Sequence, residues 1–95
     1  MENKINVGDL VVSLSGRDRG SVYLVIQADE KFAVIVNGKT RKVNKPKRKK
    51  LKHLWIRPYV VEFIQNCLQE KKLLMDSDVR KALAVFEKAD QKEEG

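Results

Sequence analysis

Residues 8 to 25 read Gly-Asp-Leu-Val-Val-Ser-Leu-Ser-Gly-Arg-Asp-Arg-Gly-Ser-Val-Tyr-Leu-Val, and this stretch decides the fold. Its two apolar arms alternate with period two and favour β-branched side chains, the pattern of strands rather than of a helix. Leu10, Val12 and Leu14 share one face of a first strand, with Val11 and Ser13 on the other. In a second strand Val22, Leu24 and Ile26 share one face, and Tyr23, Val25 and Gln27 the opposite one. Between the arms, Ser15-Gly16-Arg17-Asp18-Arg19-Gly20 has two glycines and no large apolar side chain. Such a loop needs positive φ or a close approach of the backbone to a partner.

Working outward, Asp29-Glu30-Lys31 turns the chain, and Phe32, Val34 and Val36 continue the alternation as a third strand. Asn37-Gly38 follows at once, and this pair tolerates the two positive φ angles of a type I′ hairpin. The spacing predicts a fourth strand over Lys39–Val43, ended by Pro46, then a basic loop and a fifth strand over Leu51–Ile56. Five short antiparallel strands cannot leave a face bare, so they curl into a small barrel. Beyond Arg57 the period becomes helical. Val60, Ile64, Cys67 and Leu68 form a stripe that Tyr59 and Phe63 widen, with Pro58 suited to the first helical position. After the apolar connector Leu73-Leu74-Met75, Asp76-Ser77-Asp78 offers caps for a second helix of about three turns, whose stripe is Val79, Ala82, Leu83, Phe86 and Ala89. The expected organisation is a barrel with a basic loop over residues 1–57 and a two-helix extension packed on it over 58–95, its charged end frayed from Asp90.

Ninety-five residues fit one domain. At 42% hydrophobic and 35% charged residues, the chain is too apolar for disorder throughout and too polar for a membrane protein. The amino terminus lacks the apolar core of a secretory signal and no run approaches bilayer length, so a cytoplasmic protein with no membrane partner is expected. The single cysteine, Cys67, cannot form an internal disulfide and reads as core packing beside Phe63, Ile64 and Leu68. The net charge of +7 is unevenly placed. Residues 1–57 hold 14 Lys and Arg against 5 Asp and Glu, a balance of +9, while residues 58–95 hold 6 against 8, a balance of −2. No acidic residue occurs between Lys31 and Val61, so a polyanionic partner should be met there.

Nine of the fourteen residues from Lys39 to Lys52 are basic: Lys39, Arg41, Lys42, Lys45, Lys47, Arg48, Lys49, Lys50 and Lys52. That density repels itself unless a partner relieves it. A solubilising surface loop and a nuclear-import signal around Pro46-Lys47-Arg48-Lys49-Lys50 are the competing uses of such a run. If about five of these cations met phosphates of a single strand, affinity would fall roughly a hundredfold between 50 and 200 mM salt. In the glycine loop, Gly16 and Gly20 would let backbone amides approach phosphate while Arg17 and Arg19 add planar donors; an ordinary solvated turn would use the same residue types. His53 and Trp55 share a strand face and could stack on bases, but Trp55 reads first as a core or helix-packing residue, and Tyr23 and Phe32 as barrel core. No nucleophile–base pair, metal-ligand cluster, carboxylate dyad or Walker loop is visible, so no enzyme, cofactor, metal or small-molecule substrate is expected.

The stretch from Gly8 to Val25 resembles the KOW motif of ribosomal and transcription-elongation proteins, with Gly8, Gly16, Arg19, Gly20 and Val25 in the matching places. The continuation through Val34, Val36, Asn37, Gly38 and Arg41 to Leu51, His53 and Leu54 is similar to the large-subunit ribosomal proteins numbered fourteen of archaea and eukaryotes and to their short bacterial relatives. The resemblance covers about the first 57 residues and departs at the helices. It implies an SH3-like barrel that binds ribosomal RNA within a ribonucleoprotein of the translation apparatus; when free, the protein is expected to be a monomer. The expected RNA-binding residues are Gly16, Arg17, Arg19, Gly20, the nine cations from Lys39 to Lys52, His53 and Arg57. Replacing Lys47, Arg48, Lys49 and Lys50 by Ala should weaken RNA binding and leave the fold intact. The competing expectation is a protein-interaction adaptor that docks through the barrel or the Val79–Ala89 helix; exposure of Leu83 and Phe86 together would favour it.

Overall fold

A computed structural model describes residues 5–57 and 61–94. In chain order the elements are β1 (Leu10–Ser13), β2 (Val22–Ala28), β3 (Phe32–Val36), β4 (Lys47–Lys50), a single 3-10 turn (Leu51–His53), β5 (Leu54–Arg57), α1 (Glu62–Gln69) and α2 (Asp76–Glu94). The strands form one sheet in the order β4-β3-β2-β1-β5, and every pairing is antiparallel. The chain is mainly β followed by α, as the change of period at Arg57 predicts.

The alternation in β2 feeds two separate cores. Tyr23 and Val25 join Val11, Ala33, Ile35, Leu54 and Ile5 on the inner face. Leu24 joins Leu10, Val36, Val61, Ile64 and the α2 residues Val79, Ala82, Leu83 and Phe86 on the face that the helices cover. Both faces of the central strands are therefore dry, and burial of these side chains is the main force holding sheet and helices together. Leu83 and Phe86 are both spent in this core, so the joint exposure that would favour docking through the α2 stripe is not found at these two residues. The sheet also curls, barrel-like. Laid flat, β4 and β1 would stand about 14 Å apart, three spacings of about 4.8 Å. Lys49 Nζ on β4 nevertheless reaches Ser13 Oγ on β1 at 2.6 Å.

The fourth strand departs from the sequence expectation. Lys39–Val43 is not a strand, and the run expected as a basic loop is one: β4 pairs Lys47 with Ile35, Arg48 with Val34, Lys49 with Ala33 and Lys50 with Phe32. Asn37-Gly38 opens a loop closed upon itself instead of a two-residue hairpin. The amides of Asn37 and Gly38 both donate to the Arg41 carbonyl, at 2.9 and 3.1 Å. Asn37 Oδ1 accepts from the amides of Lys39 and Arg41, each at 2.9 Å. Contacts with α2 hold this loop in place. The Val43 amide donates to Asp76 Oδ1 at 2.7 Å, and Arg80 donates to the Gly38 carbonyl at 2.8 Å. Gly38 has φ +76° and sits so close to α2 that a Cβ would lie 2.7 Å from the Asp76 carbonyl oxygen. A sheet-edge strand of four cations is itself physically sensible, since charge on an edge discourages pairing with other chains.

The remaining boundaries shift for local reasons. The first half of the expected fifth strand is the 3-10 turn, whose Leu51 amide donates to the Lys31 carbonyl at 2.9 Å. The first helix begins at Glu62 after Val61; Pro58, Tyr59 and Val60 lie outside the described residues. It ends with Lys71 at φ +57°, where the amides of Lys71 and Lys72 donate back to Leu68 and Cys67, a left-handed closing turn. Cys67 is half-buried. At the start of α2, Asp78 Oδ2 accepts from the Met75 amide at 3.0 Å, half of a capping box, while Asp76 receives the loop as described above. This helix continues to Glu94 over 19 residues, beyond the expected three turns and through the end expected to fray. Ala89 lies outside the residues whose burial is described. No helix among the described residues is long and apolar enough to cross a membrane.

Candidate nucleic-acid interface

One side chain organises the glycine loop, and it is a carboxylate. Asp18 accepts from Lys49 Nζ at 2.9 Å and Ser13 Oγ at 2.9 Å through Oδ1, and from Lys47 Nζ at 3.1 Å and the Tyr23 hydroxyl at 3.0 Å through Oδ2. Lys49 is nearly enclosed, and its ammonium also donates to Ser13 Oγ and to the Ser15 carbonyl at 2.9 Å. Burial disfavours the Asp18 charge, but the donors Lys49, Lys47, Ser13 and Tyr23 together outweigh it and hold the carboxyl far below the usual carboxylate range. Burial and the neighbouring Asp18 charge push the Tyr23 phenol up from 10. The alternation of β4 sends Lys47 and Lys49 inward to this carboxylate, while Arg48 and Lys50 are exposed.

The network pins the loop from Ser15 to Gly20 against β4. Its glycines serve backbone geometry, with φ +82° at Gly16 and +89° at Gly20; a Cβ at Gly20 would meet nothing within 4 Å. The expectation that loop amides approach phosphate is corrected for two of them, Arg19 and Gly20, and the Ser21 amide just beyond is likewise spent within the protein. The amide of Arg19 donates to Gly16, that of Gly20 to Ser13 and that of Ser21 to Asp18. The loop's cationic contribution is therefore the side chains of Arg17 and Arg19, both exposed.

A concavity of about 610 Å³ opens beside the network, lined by Arg17, Asp18, Tyr23, Thr40, Arg41 and Lys47. It brings together the glycine loop, the 37–46 loop and the first residue of β4. With Lys49 behind it, four cations face one carboxylate, for a local balance of +3. Lys39, Lys42 and Lys45 are exposed on the same 37–46 loop. Not all expected cations gather here. Lys50 and Lys52 line a second hollow of about 930 Å³ with Ile5, Ala28, Asp29, Glu30, Lys31, Phe32 and Leu51. Arg48 lies 3.9 Å from the ring centroid of Phe32, which is half-buried rather than core.

His53 is half-buried on the 3-10 turn, and its carbonyl accepts from the Leu14 amide at 2.8 Å. Arg57 is half-buried between the Trp55 and Phe86 rings, at 5.2 and 5.6 Å. Trp55, expected to pack in the core, is 55% exposed, because the alternation of β5 turns Leu54 inward and Trp55 out. Among the described residues no group of three or more His, Cys, Asp and Glu is placed to hold a metal ion. Asp18 and Thr40 are parts of the site that are not among the residues expected from the sequence. A signal for Asp18 existed, since it is the lone acid between Leu10 and Ala28, set between two arginines in a loop otherwise suited to an anion.

No family model matches the chain, and no curated protein matches it either.

Proposed function

We propose that this chain is a non-enzymatic RNA-binding protein that holds structured RNA through its phosphates, with ribosomal RNA of the large subunit as the first candidate. The observation that carries the reading is the concavity where Arg17, Arg41 and Lys47 converge, backed by Lys49 and balanced by a single carboxylate. Arg17 and Arg41 present exposed guanidinium groups that match phosphate oxygens in pairs, and the cations of the 37–46 loop extend the field outward. The acid-free span from Lys31 to Val61 supplies no carboxylate that would repel the backbone of an approaching RNA. Phosphate contacts position a partner without reading bases, so discrimination comes from RNA shape. The resemblance of residues 8–25 to the KOW motif points the same way, and the similarity of the continuation to Leu54 to large-subunit ribosomal proteins makes the ribosome the place to look.

The test must spare Lys49. Because its buried ammonium is part of the Asp18 network, the Lys47-to-Lys50 alanine variant would remove a fold-holding group together with the surface charge. Arg17→Ala combined with Arg41→Ala removes two exposed cations that line the concavity from different loops. Binding of the intact protein to a labelled large-subunit RNA fragment is followed by fluorescence anisotropy from 50 to 200 mM salt. Loss of two phosphate contacts should weaken binding and flatten the slope of log K against log salt by about 1.4 to 1.8. Equal affinity and slope in wild type and variant would reject the concavity as the interface. Crosslinking with sequencing of the attached RNA then identifies the partner.

A further inference from the structure

β5 carries its aromatic residue on the outside. Trp55 is 55% exposed, its cross-strand partner Val12 is half-buried, and Leu14, whose amide donates to the His53 carbonyl, is 47% exposed. Ser13 and Leu54, the intervening residues, are both turned inward and buried. Val12, Leu14 and Trp55 thus continue outward the sheet face that the helices cover at Leu10. The indole is also held. Arg57 lies 5.2 Å from its ring and 5.6 Å from the ring of buried Phe86, so a cation–π contact links Trp55 to α2. An aromatic ring already oriented loses little freedom when a flat ligand stacks on it.

The surrounding charge selects the ligand. From Lys47 to Arg57 the chain has no carboxylate, and although Lys47 and Lys49 turn inward to Asp18, Arg48, Lys50 and Lys52 are exposed and Arg57 lies against the indole itself. A polyanion is favoured on such a surface, and the flat apolar group that a ribose-phosphate chain brings with it is an unpaired base. Leu14 is also the last residue before the glycine loop, whose Arg17 lines the concavity, so β1 runs from Val12, the residue paired with Trp55, to the phosphate grip within a few residues.

We propose that Trp55 is a stacking platform for an unpaired nucleobase of the bound RNA, which gives the protein a preference for single-stranded segments next to the structured part it grips. The proposal rests on the RNA-binding reading above. Trp55 is the only tryptophan, so emission excited to the red of tyrosine absorption reports on it alone. The probes are an unstructured mixed-sequence RNA of about ten nucleotides, within the usual span of single-strand sites, and the blunt duplex it forms with its complement. The single strand should quench emission and the duplex should not. Trp55→Ala should weaken single-strand binding about tenfold and leave duplex binding unchanged, while Trp55→Phe keeps most of the affinity. Single-strand binding without quenching, or with unchanged affinity in Trp55→Ala, overturns the platform and leaves the phosphate reading standing. If wild type does not bind the single strand, the platform is overturned, and binding to the large-subunit fragment then decides separately whether the phosphate reading stands. An emission shift with protein concentration and no RNA would mean that a second copy covers the indole, which also overturns the proposal. Wild-type quenching and Trp55→Phe decide the matter even if Trp55→Ala does not fold.

Discussion

Replacing Asp18 by Asn keeps the shape of the side chain at the centre of the glycine loop and removes its charge. In wild type two ammonium groups share this carboxylate, Lys49 at 2.9 Å with 9% of its side chain exposed and Lys47 at 3.1 Å with 30% exposed. The exposed pair counts for little, since solvent screens it. The enclosed pair sets the magnitude, because a buried ammonium stripped of its counter-charge costs about 3 to 5 kcal/mol. Lys49 keeps Ser13 Oγ and the Ser15 carbonyl as acceptors, which places the loss at the lower end, about 3 kcal/mol. For a domain of this size that is about 12 to 24 °C in Tm. Urea titration of Asp18→Asn measures it. Adding Lys49→Met to Asp18→Asn should recover part of the loss, because the stranded charge goes with it. The pH dependence has a fixed sign. A carboxyl held below its ordinary value of 3.8 contributes stability that is complete above that pH and lost as pH falls toward the folded value. The advantage of wild type over Asp18→Asn should thus be constant from neutral pH down to about 5, then shrink by about 1.4 kcal/mol per unit below the unfolded pKa. An Asp18→Asn protein within about 0.5 kcal/mol of wild type at pH 7, the ordinary range for surface changes, would refute the account of the loop.

Two further substitutions test the backbone argument. Gly38→Ala should destabilise by about 3 kcal/mol, since a Cβ there meets the Asp76 carbonyl oxygen at 2.7 Å in addition to the left-handed φ; Gly20→Ala has open space and should cost only about 1 kcal/mol. Equal losses in urea melts would show that the docking of the 37–46 loop on α2 is not tight. Lys71→Gly should stabilise by about 0.5 to 1 kcal/mol, because Lys71 closes α1 at φ +57°, where glycine carries no Cβ penalty; a lower denaturation midpoint would contradict that reading of the helix end.

The period-two run in residues 10–36, the switch to helical spacing beyond Arg57 and the asymmetry of charge were legible without coordinates. Each reflects a choice that local geometry forces: alternate side chains must point to opposite faces of a strand, and an apolar stripe must be covered. The stripe Val79, Ala82, Leu83 and Phe86 is buried as its spacing predicts. The basic residues were visible as a density of charge, but not which of them face the surface.

That distinction came from contacts between residues far apart in the chain. Asn37-Gly38 has the local preference for a two-residue hairpin, yet the start of α2, about forty residues on, holds it in a loop through Asp76 and Arg80, and the fourth strand lies at Lys47–Lys50. The new register turns Lys47 and Lys49 inward to Asp18, leaves Arg17 and Arg41 to line the concavity, and places Lys50 and Lys52 in a different hollow. Sequence by itself determined the first three strands, the change to helices beyond Arg57 and the sign of the local charge, because these follow from side-chain chemistry and spacing within a few residues. Which cations are neutralised and which remain exposed, and that Trp55 faces outward, depended on strand register and sheet curl, which only tertiary packing decides.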